Sequence, residues 1–401
     1  MKSPRARLWP LLLLVPILIL PGGKSPRADL PSDGYIWQRR WTPSLTQAIA
    51  EAAPLIRDWR VLLAEADSRG KWSAAAVDWQ ALAQSRRPSV LVIRIDGQIA
   101  SLDEGALLDE LLTRIDEARR SDRAIAGIEV DHDCATARLA KYARFLAALR
   151  GRLPRSLPIA ITALPTWLDS PLLETVIAQA DEIELQVHAV ENPHMELFDR
   201  RQALEWIERF ARLGRPFRVS LPTYGARVSW RADGSLVAIE SETPLRAGGD
   251  EAVELMASAS EVAGLVRDLR ENPPSNLRGI AWFRLPTSDD RRAWSIATWR
   301  AVMRGRLVQG RLEARVRPSG RPGINLLWLE NTGDIDLELP RRVEMPPACT
   351  IGDGANGYAA IADASNLTLR RQGGAALRGH QEQMIGWIRC QPDEGEIDVQ
   401  P

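Results

Sequence analysis

The stretch that decides the fold is AIAGIEVDHD (124–133), which is followed by the segment TARLAKYARFLAALRGRL (136–153). The first half of AIAGIEVDHD is an apolar run of the kind found in buried parallel strands. The segment after it repeats apolar residues at the spacing of one helix face. A strand followed by an amphipathic helix is the repeating unit of α/β folds, so we expect further units of this kind on both sides along the chain.

Eight strand-like runs lie between residues 35 and 305, and helical segments separate most of them. They are YIWQ (35–38), WRVLLAEA (59–66), SVLVIRIDG (89–97), AIAGIEVDHD (124–133), PIAITALP (158–165), DEIELQVHAV (181–190), PFRVSLPTYG (216–225) and LRGIAWFRLP (277–286). Alternation of this kind predicts parallel strands joined by crossover helices. Eight units in about 270 residues is the size of a closed barrel. We therefore predict an α/β fold, a (β/α)8 TIM barrel over residues 35–305.

Two segments depart from this alternation. After the seventh strand, ARVSWRADGSLVAIESETPL (226–245) contains two alternating runs joined at Asp233-Gly234, which predicts a β-hairpin insertion. Beyond residue 305, short strand-like runs separated by turn residues continue to the end of the sequence. They predict a small, sandwich-like all-β module over residues 306–401.

The first 28 residues are expected to be a signal peptide or an N-terminal anchor. Three basic residues precede a 13-residue apolar run, Leu8 to Leu20, which Pro10 and Pro16 interrupt. The run is shorter than the roughly 20 residues of a membrane span, so a secretory signal is favoured. Pro26 stands where a small residue is expected before cleavage, which leaves an uncleaved anchor open. We expect a periplasmic or secreted protein, or one anchored in the inner membrane if this segment is retained.

Export would place the cysteines in an oxidising compartment. Of the three cysteines, Cys349 and Cys390 both lie in the predicted C-terminal module, and they are the natural disulfide pair. Closing a loop of about 40 residues would stabilise the fold by roughly 4 kcal/mol on the chain-entropy model. Two free, buried cysteines are the alternative.

The overall composition limits the classes of partner. The 52 basic and 52 acidic residues give a net charge of zero, so no long-range field would recruit nucleic acid or an anionic membrane surface. We find no zinc-ligand spacing, and we predict no metal, no cofactor and a monomer. Fourteen tryptophans stand against five phenylalanines and four tyrosines. Indole rings commonly stack on sugar faces, although ordinary core packing can account for most of them.

Acidic residues end the fourth predicted strand, at the edge where barrels of this type carry their sites. Because side chains two apart in a strand share a face, Glu129, Asp131 and Asp133 are expected to project together into the barrel mouth. Each residue alone could be an ordinary solvated polar group, but several at one rim favour a ligand site. The further residues expected to bind substrate there are Trp37, Arg94, Asp96, Gln186, His188, Tyr224 and Trp282.

These residues carry a resemblance. GIEVDHD (127–133) resembles the strand-four signature of the chitinase-like glycoside hydrolases (family eighteen), a glycine followed by Asp-x-Asp-x-Glu. LPTYG (221–225) resembles their strand-seven Pro-x-Tyr-Gly, and GIAWFRLPTSDD (279–290) resembles their last strand with its trailing acids. DEIELQVHAV stands where that family has Met-x-Tyr-Asp. At closer range the chain resembles a bacterial family known as domain of unknown function 3142.

The resemblance implies roles for individual residues. Asp133, at the position of the last acid, would protonate the glycosidic oxygen, and Asp131 would raise its pKa and orient a substrate amide. Substrate-assisted members of the family use the 2-acetamido oxygen of the sugar as nucleophile and need no second protein nucleophile. Asp133 replaces the usual glutamate, however, and His188 and Ala189 replace the expected Tyr-Asp, so Tyr224 would have to hold the acetamido carbonyl.

Three functions follow from this reading. The first is a secreted glycoside hydrolase acting on a polysaccharide or amino-sugar glycan, with Asp133 as acid and Asp131 or Glu129 as its partner. The second is a non-catalytic barrel that binds glycans, since the signature is altered while tryptophans are retained. The third is a structural envelope protein, which the poor cleavage site favours because it would hold the protein at the membrane.

Overall fold

A computed structural model describes residues 30–99, 102, 105–121, 124–188, 197–240, 251–306, 310–362, 367–371, 375–390 and 397–400. The predicted signal or anchor segment, residues 1–28, lies outside the described residues. Within these ranges, no helix combines the length and apolar composition that crossing a membrane requires.

The described residues between 32 and 303 form twelve strands and eight α-helices. The strands are β1 (Ser32–Ile36), β2 (Trp59–Ala66), β3 (Trp72–Ala74), β4 (Ser89–Ile95), β5 (Ile125–His132), β6 (Ile159–Ala163), β7 (Glu182–Gln186), β8 (Phe217–Pro222), β9 (Gly225–Trp230), β10 (Leu236–Glu240), β11 (Glu251–Met256) and β12 (Leu277–Phe283). The helices are α1 (Pro43–Ala52), α2 (Trp79–Ser85), α3 (Ala106–Ser121), α4 (Leu139–Arg152), α5 (Leu173–Ile177), α6 (Arg200–Ala211), α7 (Ala259–Glu271) and α8 (Ile296–Met303).

Eight of these strands form a closed parallel barrel, which confirms the predicted TIM-barrel fold. The hydrogen-bonded order is β1-β12-β8-β7-β6-β5-β4-β2, and β1 pairs with β2 to close the ring. The first strand begins and ends earlier than predicted, at Ser32–Ile36 instead of residues 35–38. An additional strand, β3, pairs antiparallel with β2 outside the ring.

Alternation along the strands divides the interior into two layers. In β5, Ile128 and Val130 are fully buried in the apolar layer between the strands and the helices. Their neighbours Glu129 and Asp131 therefore point to the inside of the ring. The strand that decides the fold thus presents its carboxylates to the barrel axis.

The predicted hairpin after the seventh barrel strand is present. β9 and β10 pair antiparallel, and Gly234 in the connecting turn has φ of +81°, which favours glycine. The insertion is larger than predicted, because β11 pairs with the other edge of β9 to make a three-stranded sheet.

The C-terminal part consists of short antiparallel strands, as predicted. They are β13 (Leu312–Pro318), β14 (Asn325–Asn331), β15 (Leu337–Glu338), β16 (Arg342–Glu344), β17 (Gly352–Gly354), β18 (Tyr358–Ala362), β19 (Leu367–Arg371), β20 (Ala376–Leu377), β21 (Glu382–Ile388) and β22 (Asp398–Gln400). The four-stranded sheets β13-β14-β21-β17 and β18-β19-β16-β22 share one apolar core. Cys349 and Cys390 are joined by a disulfide bond, with their Cα atoms 5.2 Å apart.

Polar contacts fix this module to the segment that follows β12. Asp336 accepts a hydrogen bond from the backbone N–H of Ser295 at 2.6 Å, at the N-terminus of α8. Arg378 donates hydrogen bonds to the backbone carbonyls of Ser288 at 3.0 Å and Asp290 at 2.7 Å. The module therefore holds a loop that leaves the C-terminal edge of the barrel.

Candidate active site

Glu129, Asp131 and Asp133 are here called the acidic ladder. The lowest of them, Glu129, is buried and pairs with a cation. Its side chain is fully buried, and its Oε2 lies 2.5 Å from Nη1 of Arg60. Its Oε1 accepts hydrogen bonds from the hydroxyls of Tyr35 at 2.6 Å and Thr162 at 3.1 Å. The predicted placement of Glu129 in the open mouth is therefore corrected: it lies inside the barrel, where three protein groups satisfy its carboxylate.

An ionic cluster fills the barrel around and below Glu129. Arg60 contacts Asp33 at 3.1 Å and Glu182 at 3.1 Å and also pairs with Glu184, while Arg218 pairs with Glu182 and lies 3.3 Å from Asp33. Carboxylate oxygens of Asp33, Glu182 and Glu184 lie within 4.8 Å of one another, a spacing that could suit a cation. Because two guanidinium groups already lie among them, we assign this cluster to the structure of the barrel.

The middle acid, Asp131, lies above this cluster and is almost fully buried. It is 7% exposed, and burial, followed by the charges of Asp133 and Glu129, raises its pKa to about 8. Arg94 and the neighbouring Thr162 hydroxyl oppose this rise. A carboxyl with such a pKa is protonated over most of the neutral range.

The upper acid, Asp133, reaches solvent. It directly follows β5, its side chain is 38% exposed, and its Oδ2 lies 4.0 Å from Nη2 of Arg94. Partial burial raises its pKa, while Arg94 and His132 lower it. The turn after β4 approaches the backbone of Asp133 closely at Gly97. Only glycine fits there, because a Cβ at residue 97 would lie 1.9 Å from the carbonyl oxygen of Asp133. Asp131 and Asp133 interact electrostatically, so the two carboxyl groups titrate as a pair.

Phe283, which the sequence analysis did not single out, is the centre of the aromatic surface beside these acids. Its ring centroid lies 4.9 Å from that of Trp37, 5.4 Å from Tyr35, 5.5 Å from Tyr224 and 5.6 Å from His188. Its position at the end of the last barrel strand was the available signal.

Trp282, its neighbour, is placed differently from the prediction. Its indole is fully buried on the outer side of the strand, where it contacts Trp299 of α8 at 6.2 Å between ring centroids. Its Nε1 donates to the hydroxyl of Ser32 at 3.1 Å. Because neighbouring side chains on a strand point to opposite faces, Phe283 faces inward and Trp282 cannot, so the predicted substrate contact of Trp282 is wrong.

Two arginines lie over aromatic rings of the mouth. The guanidinium of Arg94 is 5.7 Å from the ring centroid of Trp37, and that of Arg284 is 5.5 Å from the ring centroid of Tyr224. Arg284 also forms an ion pair with Asp290. Burial raises the pKa of Tyr224 to about 12, so its hydroxyl stays protonated and able to donate a hydrogen bond.

The remaining predicted residues are fixed by local contacts. His188 is 3% exposed, its Nε2 lies 3.2 Å from the hydroxyl of Ser220, and burial lowers its pKa to about 3, which keeps the ring neutral. Gln186 donates from Nε2 to the carbonyl of His188 at 3.0 Å. Asp96 accepts from the backbone N–H of Gln98 at 2.7 Å and closes the turn after β4. Ala189 lies outside the described residues.

The protein is a (β/α)8 barrel that carries Asp131 and Asp133 at the carboxyl end of β5. Comparison with known proteins shows the family to which it belongs. A model of the family "domain of unknown function (DUF3142)" matches residues 85–288, about half of the chain, and the protein belongs to this family. A second model, "domain of unknown function (DUF8456)", matches residues 314–391. No curated protein has a significantly similar sequence.

Solved structures share the fold at low sequence identity. A chitinase from Chromobacterium violaceum superposes with a TM-score of 0.50 at 14% identity, covering 69% of this chain and 99% of that one. The spore cortex-lytic enzyme SleL of Bacillus cereus has a TM-score of 0.50 at 13% identity, covering 71% of this chain and 76% of that one. At such identities the likeness shows the fold alone.

Proposed function

We propose that the barrel hydrolyses glycosidic bonds of an amino-sugar glycan, with Asp133 as the general acid and Asp131 as its partner. The observation that carries this proposal is a carboxyl pair at the mouth, of which the buried member has a pKa of about 8 and the other is 38% exposed. The fold supports the same class of substrate, because the similar structures named above are a chitinase and a spore cortex-lytic enzyme.

The pair can supply the proton that cleavage requires. Two interacting carboxyls titrate together, so near neutral pH the pair retains a proton that either oxygen set can carry. Asp133 reaches solvent and transfers the proton to the glycosidic oxygen as the bond to the anomeric carbon breaks. The 2-acetamido oxygen of the sugar bonds to that carbon. A water molecule then attacks the anomeric carbon and displaces the acetamido oxygen. The proton that this water loses returns to the carboxylate.

The aromatic surface would hold the sugar ring beside the acids. Phe283 and Tyr224 present apolar ring area at the mouth, and the protonated Tyr224 hydroxyl can donate to an acetamido carbonyl. His188 lies against both rings as a neutral, buried group, so it acts as packing and polar support in this proposal.

We propose that the protein is exported to the periplasm or the medium and that it works as a monomer. The disulfide between Cys349 and Cys390 suits an oxidising compartment. Retention of residues 1–28 would instead leave it anchored to the inner membrane.

A second candidate is a barrel that binds glycans without cleaving them. Its support is Arg94, whose guanidinium lies 4.0 Å from the Asp133 carboxylate and favours the ionised form. An aspartate is also one methylene shorter than the glutamate of related signatures, and misplacement on the scale of about 1 Å can cost about a hundredfold in rate.

The purified full chain, incubated with soluble amino-sugar oligosaccharides and cell-wall fragments, separates the two candidates by mass spectrometry of the products. We expect new reducing ends with the native protein, their loss in Asp133→Asn, and unchanged products in Asp116→Asn, an exposed carboxylate on α3. Saturable binding without product would support the second candidate. Absence of both binding and product would reject a glycan function for the barrel.

A further inference from the structure

The outer face of one C-terminal sheet carries two tryptophans. Trp328 of β14 pairs with Met384 of β21, and Leu326 of β14 pairs with Trp387 of β21. Residues directly opposite in antiparallel strands have side chains on the same face. The alternating residue Leu327 is fully buried in the shared core. Both indoles therefore lie on the opposite, solvent-facing side, where each is partly exposed.

The charges on this face are paired with one another. The guanidinium of Arg317 lies 4.9 Å from the ring centroid of Trp328 and forms a two-pronged ion pair with Glu382, with Nη1 at 2.8 Å from Oε1. Arg315 contacts Glu330 at 3.0 Å. Because Arg315 and Arg317 have carboxylate partners, their charges are largely compensated and do little to recruit a polyanion or an anionic membrane.

A groove of about 630 Å³ opens beside Trp328 and is lined also by Asn356, Arg371, Glu382, Gln383 and Met384. The protein itself fixes the polar side of this groove. The carbonyl of Asn356 accepts from Arg371 at 2.9 Å and from Gln383 at 3.2 Å, and Nδ2 of Asn356 donates to the carbonyl of Met384 at 2.8 Å. Its polar groups are thus in place before a ligand arrives, which reduces the entropy lost on binding.

We propose that this groove, here called the Trp328 groove, binds a neutral glycan strand and gives the chain a second glycan site. An indole beside amide, carboxylate and guanidinium groups matches sugars, which present apolar C–H faces and many hydroxyls. The proposal rests on the proposed function for its ligand class: the module holds the polymer whose bonds the barrel cleaves.

The test is sedimentation of the full chain with insoluble chitin and with purified peptidoglycan sacculi. We expect Trp328→Ala to weaken polymer binding about tenfold, which corresponds to about 1.4 kcal/mol. Trp328→Phe should retain most of the binding. The matched control is Trp72→Ala on β3, because Trp72 is also partly exposed and also lies beside an arginine, with Arg114 at 5.7 Å from its ring centroid. This control should bind as the native protein does.

A second variant, Met384→Glu, places a charge in the groove without removing an aromatic ring, and circular dichroism verifies that each variant is folded. Unchanged binding in folded Trp328→Ala and Met384→Glu would overturn the proposal. So would a native protein that sediments with neither polymer, even if it cleaves soluble oligosaccharides. If Trp328→Ala instead changes a native dimer to a monomer while polymer binding stays the same, the groove is a contact between copies and the proposal is wrong.

Failure of the proposed function has a different signature. In that case the native protein forms no product from soluble oligosaccharides, yet polymer binding still depends on Trp328. If both proposals hold, Asp133→Asn loses product formation and keeps sedimentation, whereas Trp328→Ala keeps the cleavage of short soluble oligosaccharides and loses sedimentation. The two sites are then separable by one substitution each.

Discussion

Replacing Asp131 with asparagine should make the protein more stable at alkaline pH while it impairs the site. The folded-state pKa of Asp131 is about 8, compared with an ordinary value of 3.8. Between these values the folded chain keeps a proton that the unfolded chain releases, so stability falls as the pH rises through this window. Asparagine is nearly isosteric and does not titrate, so the variant lacks this loss.

The magnitude follows from the shift. Each pH unit inside the window costs up to 1.36 kcal/mol, so the interval from pH 5 to pH 8 has an upper limit of about 4 kcal/mol. Since the proton belongs to a pair with Asp133 and the surroundings of a buried carboxylate relax, we expect about half of this limit, about 2 kcal/mol. Asp133→Asn should give a smaller effect, because its side chain is 38% exposed.

The assay is urea unfolding of native protein, Asp131→Asn and Asp133→Asn at pH 5, 6.5 and 8. Other titrating groups contribute to every curve, so the quantity of interest is the difference between native protein and variant at each pH. A difference that grows with pH supports a proton held on Asp131. Parallel pH profiles for native protein and Asp131→Asn would mean that this carboxyl ionises normally, and the proposed acid pair would lose its physical basis.

Three further changes test other parts of the structure. Replacing Cys349 and Cys390 with serine should lower the stability of the C-terminal module by about 4 kcal/mol, measured by calorimetry, and unchanged unfolding would argue against the bond. Arg60→Met leaves buried carboxylates without their cation and should cost about 3–5 kcal/mol in urea unfolding, whereas a neutral effect would show that these acids are already protonated. Arg378→Ala removes the hydrogen bonds that hold the Ser288 and Asp290 carbonyls, and it should raise KM for soluble oligosaccharides about fivefold with little change in Tm. An unchanged KM would show that the module does not position this loop.

The barrel was predictable because its strands are long, apolar and regularly spaced. The run 59–66 was predicted with the bounds that β2 has in the structure. The elements between β2 and β4 were missed, because β3 has three residues and α2 has seven, too few for a period to show. β11 was missed for a related reason: EAVELM is a short run whose partner, β9, lies about twenty residues earlier in the chain.

The site was predictable where one strand determines it and unpredictable where packing does. The shared face of Asp131 and Asp133 follows from a spacing of two residues. The sequence does not show which of Trp282 and Phe283 faces inward, because two adjacent aromatic residues give no alternation of polarity. The pairing of Glu129 with Arg60 joins residues 69 positions apart, so only the closed ring brings them together.

The acidic ladder makes physical sense as three carboxylates at three heights along the barrel axis. Glu129 forms an ion pair with Arg60, deep in the interior. Asp131 lies above this pair, and part of the rise in its pKa comes from the Glu129 charge. Asp133 reaches solvent and lies where a proton could be delivered. The lowest acid therefore acts through the middle one: its charge helps to keep a proton on Asp131, and that proton keeps the pair from carrying two negative charges at the mouth. Removing Arg60 would leave Glu129 without its cation and so disturb the proton on Asp131, although Arg60 itself would not contact a ligand.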